Sequence, residues 1–95
     1  MRKAAKRDEV ERDIVQTLEA CGIVTISVSS PGVPDLLLYS ESARLIWRGH
    51  MHVYLPAEVK GPKGRLTPGQ LCTRARMPFP VLQTVEDALA LVAVF

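Results

Sequence analysis

Leu36-Leu37-Leu38-Tyr39 is short enough for a strand and apolar at every position. A strand that shows water one face alternates apolar and polar residues, whereas an unbroken apolar run is covered on both faces. In a chain of 95 residues the cover must come from helices packed on a central sheet, so the run points to a mixed α/β layer architecture. The rest of the chain supplies the pieces. Val10, Ile14, Leu18 and Cys21 recur at helical spacing over about residues 6–21, and Gly22 follows as a stop. Ile23 to Ser29 alternates like a strand, and Ser30-Pro31-Gly32-Val33-Pro34 is a loop.

Arg44 to Arg48 reads as a strand, Gly49-His50 as a tight turn and Met51 to Lys60 as one longer strand. Thr67-Pro68-Gly69-Gln70 opens a helix with an N-cap, a proline at the first position and a glutamine three residues after the cap; Pro78 stops it near Arg76. Phe79 to Gln83 is a last short strand. Thr84 caps a final helix with Glu86 and Asp87 in its first turn. The expected fold is α/β, one mixed central sheet flanked by helices. Pro56 removes a ladder donor, which predicts an edge or bulged strand at that point.

Composition excludes several classes. With 47% apolar and 23% charged residues the chain is neither disordered nor low in complexity. The longest apolar run, Ala88 to Phe95, is eight residues, and a membrane span needs roughly 20. The charged N-terminus passes into acidic sequence rather than an apolar signal region, so secretion is not expected. Cys21 and Cys72 read as reduced thiols in small apolar roles. His50 and His52 lack the further ligands that zinc requires. Trp47 and two tyrosines are too few for a base-stacking platform.

Charge is unevenly placed. Residues 1–58 are net −1 and residues 59–95 net +3, and no acid occurs from Val59 to Val85, where Lys60, Lys63, Arg65, Arg74 and Arg76 fall. Such a region suits a polyanion, or is a solvated basic face. The basic residues Arg2, Lys3, Lys6 and Arg7 lie near the N-terminus.

Side chains alternate along Leu55-Pro56-Ala57-Glu58-Val59-Lys60, so Glu58 and Lys60 share one face. If the strands bearing Asp35 and Glu58 are neighbours, two carboxylates and a lysine meet. Clustered charge away from water needs a counter-charge, and an oxygen-liganded divalent cation provides one. On a helical wheel Glu11 alone among the first helix's acids falls inside the apolar stripe, aimed at the body of the protein. Each residue taken singly reads equally well otherwise: Glu11 as a helix-edge acid, Asp35 as a turn residue, Glu58 with Lys60 as a surface ion pair.

Together they form a pattern. Pro34-Asp35 followed after 22 residues by Glu58-x-Lys60 looks like the PD-(D/E)XK phosphodiesterase signature. The blocks Gly32-Val33-Pro34-Asp35-Leu36-Leu37-Leu38 and Ala57-Glu58-Val59-Lys60-Gly61-Pro62-Lys63-Gly64-Arg65-Leu66-Thr67-Pro68-Gly69-Gln70 closely resemble the two motif blocks of the virus-type replication-repair nuclease (VRR-NUC) domain. The first helix and the stretch Pro80 to Leu89 are similar to that family's first helix and its final strand and helix. The resemblance spans nearly the whole chain.

It implies one nuclease domain over residues 1–95, of the stand-alone type encoded by phages, with a restriction-endonuclease-like core. It implies Mg²⁺ or Mn²⁺ held by Asp35, Glu58 and the Val59 carbonyl, with Glu11 completing the shell directly or through water. Lys60 would orient the attacking water or stabilise the phosphorus centre. Gln70 matches a glutamine near the site, although Thr67 and Gln70 also make a capping box. Lys63 and Arg65 would grip phosphates, with Arg74 and Arg76 as weaker candidates. The implied activity is metal-dependent cleavage of branched DNA such as four-way (Holliday) junctions in the cytoplasm of a bacterial or phage-infected cell, with no membrane and no small-molecule cofactor. The final helix is apolar nearly all round, which favours a two-fold homodimer. The alternatives are a non-catalytic nucleic-acid-binding module of the same fold and an interaction protein that dimerises through its last helix.

Overall fold

A computed structural model describes the backbone of residues 2–95 and the side chains of residues 9–95; the side chains of Arg2, Lys3, Lys6 and Arg7 lie outside the described residues. Helix α1 runs Arg2–Ala20, followed by β1 (Val24–Ser27), β2 (Leu36–Tyr39), β3 (Leu45–Trp47), β4 (His50–His52), β5 (Leu55–Val59), α2 (Pro68–Arg76), β6 (Val81–Leu82) and α3 (Val85–Ala93). The main sheet has the order β1-β2-β5-β6. Its first three strands pair antiparallel and β5 pairs β6 parallel, so the sheet is mixed as expected. Among the described residues no helix is long and apolar enough to cross a membrane.

Element ends follow local chemistry. At the end of α1 the Ile23 N–H donates to the Leu18 carbonyl and the Gly22 N–H to that of Glu19. Gly22 holds φ +84°, the left-handed position that this double closure requires and that a residue without Cβ adopts freely. Thr67 and Thr84 open α2 and α3 with reciprocal capping boxes, closed by Gln70 and Asp87.

The register fixes the faces. Leu36 stands opposite Ala57 and Leu38 opposite Leu55, so these residues share one face with Val59. All five are buried and join Ile14 and Leu18 of α1 and Ala88 and Leu91 of α3 in one core. Leu37 and Tyr39 face the other way and are only half-buried. The apolar run is thus fully covered on one face and partly on the other. Tyr54 lies against Tyr39 there, with ring centroids 5.4 Å apart.

Two expectations about the strands and their turn change. The strand read over Met51 to Lys60 is two: β4 pairs β3 in a separate hairpin and β5 enters the main sheet. The break falls at Val53-Tyr54, both exposed and both good strand formers, so no residue type marks it. The hairpin turn is Arg48-Gly49, one residue earlier than Gly49-His50, because Trp47 pairs His50. Both turn residues have positive φ, +52° and +78°, the twist a two-residue hairpin prefers. β5 lies between β2 and β6, yet at Pro56 it is an edge on one side, as expected: Pro56 pairs Leu37 of β2, while β6 pairs only Glu58 and Val59. The N–H groups of Glu58 and Lys60 point at β6. By alternation the nitrogen of Pro56 points the same way, before β6 begins, so no donor is missed.

Helix α3 turns Ala88 and Leu91 into the core and leaves Leu89 and Val94 exposed. Cys21 and Cys72 are free and exposed rather than packed in apolar surroundings. Trp47 packs on the core edge, with the Arg48 guanidinium 4.6 Å above its ring.

Leu38 sits fully buried in the second strand of the sheet. Leu38→Ala is expected to cost about 2–5 kcal/mol, much of a small domain's net stability, read as a lowered urea midpoint with an unchanged slope.

Candidate metal and phosphodiester site

The candidate site is built where β2 begins beside the end of β5. The ladder stops here because Pro34 precedes Asp35 and has no N–H to donate. Side chains finish the pairing. The Asp35 N–H donates to Glu58 Oε1 (3.2 Å) and the Val59 N–H to Asp35 Oδ2 (3.4 Å). Two carboxylates are thereby held against each other by the backbone of the opposite strand.

Glu58 is almost wholly buried, at 1% exposure. Its Oε2 accepts from Gln70 Nε2 at 2.9 Å and lies 3.3 Å from Lys60 Nζ. The surface-ion-pair alternative therefore does not describe Glu58 and Lys60. Gln70 serves two ends at once: its Oε1 accepts from the Thr67 N–H at 2.9 Å while its amide nitrogen serves Glu58. The capping box and the site share one side chain.

Burial, and then the negative charge of Asp35, push the Glu58 carboxyl above its ordinary pKa; the Lys60 ammonium pulls it back only in part. A buried carboxylate beside another carries unfavourable repulsion, which the Lys60 ammonium at 3.3 Å relieves in part.

Glu11 is half-buried on α1. It lines one open cleft of about 460 Å³ with Asp35, the segment Ser27 to Ser30 and Pro31. The candidate donors are all oxygens, as a hard divalent ion prefers. Among the described residues no three His, Cys, Asp or Glu side chains gather as a ready-made ion site. Asp35 and Glu58 meet, and Glu11 lines the same cleft as Asp35. The residues fit a two-carboxylate site that a cation would complete.

The basic residues separate. Lys63 and Arg65 are exposed in the loop that leaves Lys60. Arg74 is half-buried and its Nε donates to the Phe79 carbonyl at 3.1 Å, so it also ties α2 to the start of β6. Arg76 is exposed in the last turn of α2. Gln83, which carries no sequence signal, donates to the loop between Lys60 and Arg65.

A solved structure described as a VRR_NUC domain superposes on 95% of this chain and 97% of its own, with TM-score 0.66 and 23% identity. The chain has the fold of a VRR_NUC domain. No family model matches the sequence, and no curated protein does. At this identity the likeness rests on the backbone, and the VRR_NUC fold accounts for the mixed sheet and its flanking helices.

A carboxyl that keeps its proton more tightly when folded loses stability as the pH rises from its unfolded to its folded pKa. Glu58 is raised, so its ionisation opposes folding near neutral pH. The melting temperature of metal-free protein is expected to fall as the pH rises above the usual carboxylate range, and Glu58→Gln to flatten that fall, measured by thermal melts in chelator.

Proposed function

We propose that the chain is a single-domain, metal-dependent endodeoxyribonuclease of the VRR-NUC type that cleaves branched DNA, with four-way junctions as the leading substrate. The observation that carries this reading is the meeting of Asp35 and Glu58 across the ends of two strands, with Lys60 on the same acid. A protein that only binds DNA gains nothing from two adjacent carboxylates next to phosphate.

Asp35, Glu58 and the Val59 carbonyl, with Glu11 from α1, would hold Mg²⁺ or Mn²⁺. When bound, such an ion neutralises charge on the phosphoryl oxygens and eases ionisation of the attacking water. The chain's own groups do the rest. Lys60, anchored on Glu58 Oε2, places a positive charge where negative charge grows during in-line attack. Gln70 fixes the orientation of the Glu58 carboxylate through one amide hydrogen. Lys63 and Arg65, with Arg74 behind them, would take the flanking phosphates. Contacts of this kind follow backbone and shape rather than base sequence.

A two-fold dimer, for which Leu89 of α3 and Val94 just beyond its end stand exposed, would present two sites to the two strands of a symmetric junction. The chain would act in the cytoplasm, where DNA and millimolar divalent cations coexist.

The test uses end-labelled four-way junction, flap and linear duplex DNA with Mg²⁺, Mn²⁺ or chelator. Cleavage is expected with either ion, preferentially on the junction, and none in chelator. Asp35→Ala and Lys60→Ala are each expected to lower the rate by at least about 100-fold. Full activity in either variant removes these residues from the site. Binding without cleavage in every metal makes the chain a nucleic-acid-binding module instead.

Ion binding has its own readout. Mn²⁺ is expected to raise the melting temperature of the wild-type protein and to leave that of Asp35→Ala unchanged.

A further inference from the structure

We propose that Gln83 is a positioning residue that sets the basic loop against DNA, and this rests on the nuclease reading above. The loop leaves β5 at Lys60 and folds back at once. The Gly64 N–H donates to the Gly61 carbonyl at 2.9 Å. A Cβ on Gly64 would stand 3.0 Å from Lys60 Cβ and 3.2 Å from the Gly61 nitrogen, so any other residue would press on the base of Lys60 and the turn would have to give by a few tenths of an ångström.

One side chain from just beyond β6 ties this turn down. Gln83 Nε2 donates to the Gly61 carbonyl at 3.0 Å and to the Gly64 carbonyl at 3.2 Å. An amide NH₂ has two hydrogens, and both serve the turn. Gly64 lies between Lys63 and Arg65, so fixing its carbonyl fixes the backbone from which both cations project.

Gln83 is itself held. Asp87 Oδ2 accepts from the Gln83 N–H at 2.9 Å and the Thr84 N–H at 3.2 Å, and the Lys60 N–H donates to the Leu82 carbonyl just before it. The α3 cap, the end of β6 and the loop thus form one chain of hydrogen bonds ending at two exposed cations. Long cations on a loose loop must be ordered at each encounter with DNA, and a loop fixed in advance avoids that entropic cost.

The inference predicts an effect on DNA engagement rather than on the chemical step. Gln83→Met keeps the length and removes the donor; Gln83→Glu keeps the length and sets a carboxylate against two carbonyls. Each is compared with wild type for affinity to a fluorescein-labelled four-way junction in Ca²⁺, for KM and kcat with Mg²⁺, and for amide exchange at Gly64. Both variants are expected to raise Kd and KM about tenfold, to weaken the salt dependence of binding, to leave kcat within about twofold and to speed exchange at Gly64. In a Lys63→Ala/Arg65→Ala background, Gln83→Met should add nothing further.

Wild-type affinity in both variants, or an effect that adds in full to the double substitution, overturns the inference. A fall in kcat at unchanged KM overturns it as well. Wild-type protein that binds the junction without cutting it ends the nuclease reading alone, and the Kd comparison still decides the role of Gln83.

Discussion

The reciprocal exchange between Asp35 and Glu58 is the constraint on which the site depends. The backbone pairing between β2 and β5 stops at this point, and carboxylate oxygens of Asp35 and Glu58 take the N–H groups of Val59 and Asp35. A buried N–H left without an acceptor costs free energy comparable to a lost hydrogen bond, so the two acids are needed to end the sheet cleanly. The same oxygens that finish the ladder are those that would meet a cation. Structure and chemistry draw on one set of atoms, which is why two carboxylates persist side by side where repulsion and burial both oppose it.

Around that pair the supports come from distant parts of the chain. Gln70 reaches Glu58 from the first turn of α2, and Gln83 reaches the loop after Lys60 from the end of β6. The parallel pairing of β5 with β6 allows this, because both strands finish at the same end of the sheet. Antiparallel pairing there would send the end of β6 away from the site. The core needs only the apolar residues of one face, so the charged ends remain available for chemistry.

Much of this was legible in the residues. Alternation in Leu55 to Lys60 put Glu58 and Lys60 on one face, and the unbroken Leu36 to Tyr39 run put a strand inside the sheet. Thr67 with Gln70 and Thr84 with Asp87 announced two helix starts. What stayed hidden depends on contacts distant in sequence. Val53-Tyr54 breaks a strand without any breaker, because the chain there changes from one sheet to another. Pro56 signals an open side of β5, but local pattern cannot tell that a neighbour begins beside Glu58 two residues later. Gln83 had no signal at all: a glutamine after a two-residue strand reads as surface until its partners 22 and 19 positions earlier are brought beside it.

The doubled use of Gln70 couples two events that are usually separate. Terminal turns of short helices fray readily. Here the end of α2 cannot unwind while the amide still spans Thr67 and Glu58, and when it does unwind a buried carboxylate loses a donor at the same instant. The local stability of nine helical residues therefore acts as a gauge of whether the acid is correctly aimed, and a loosened α2 and a misdirected Glu58 are one state rather than two.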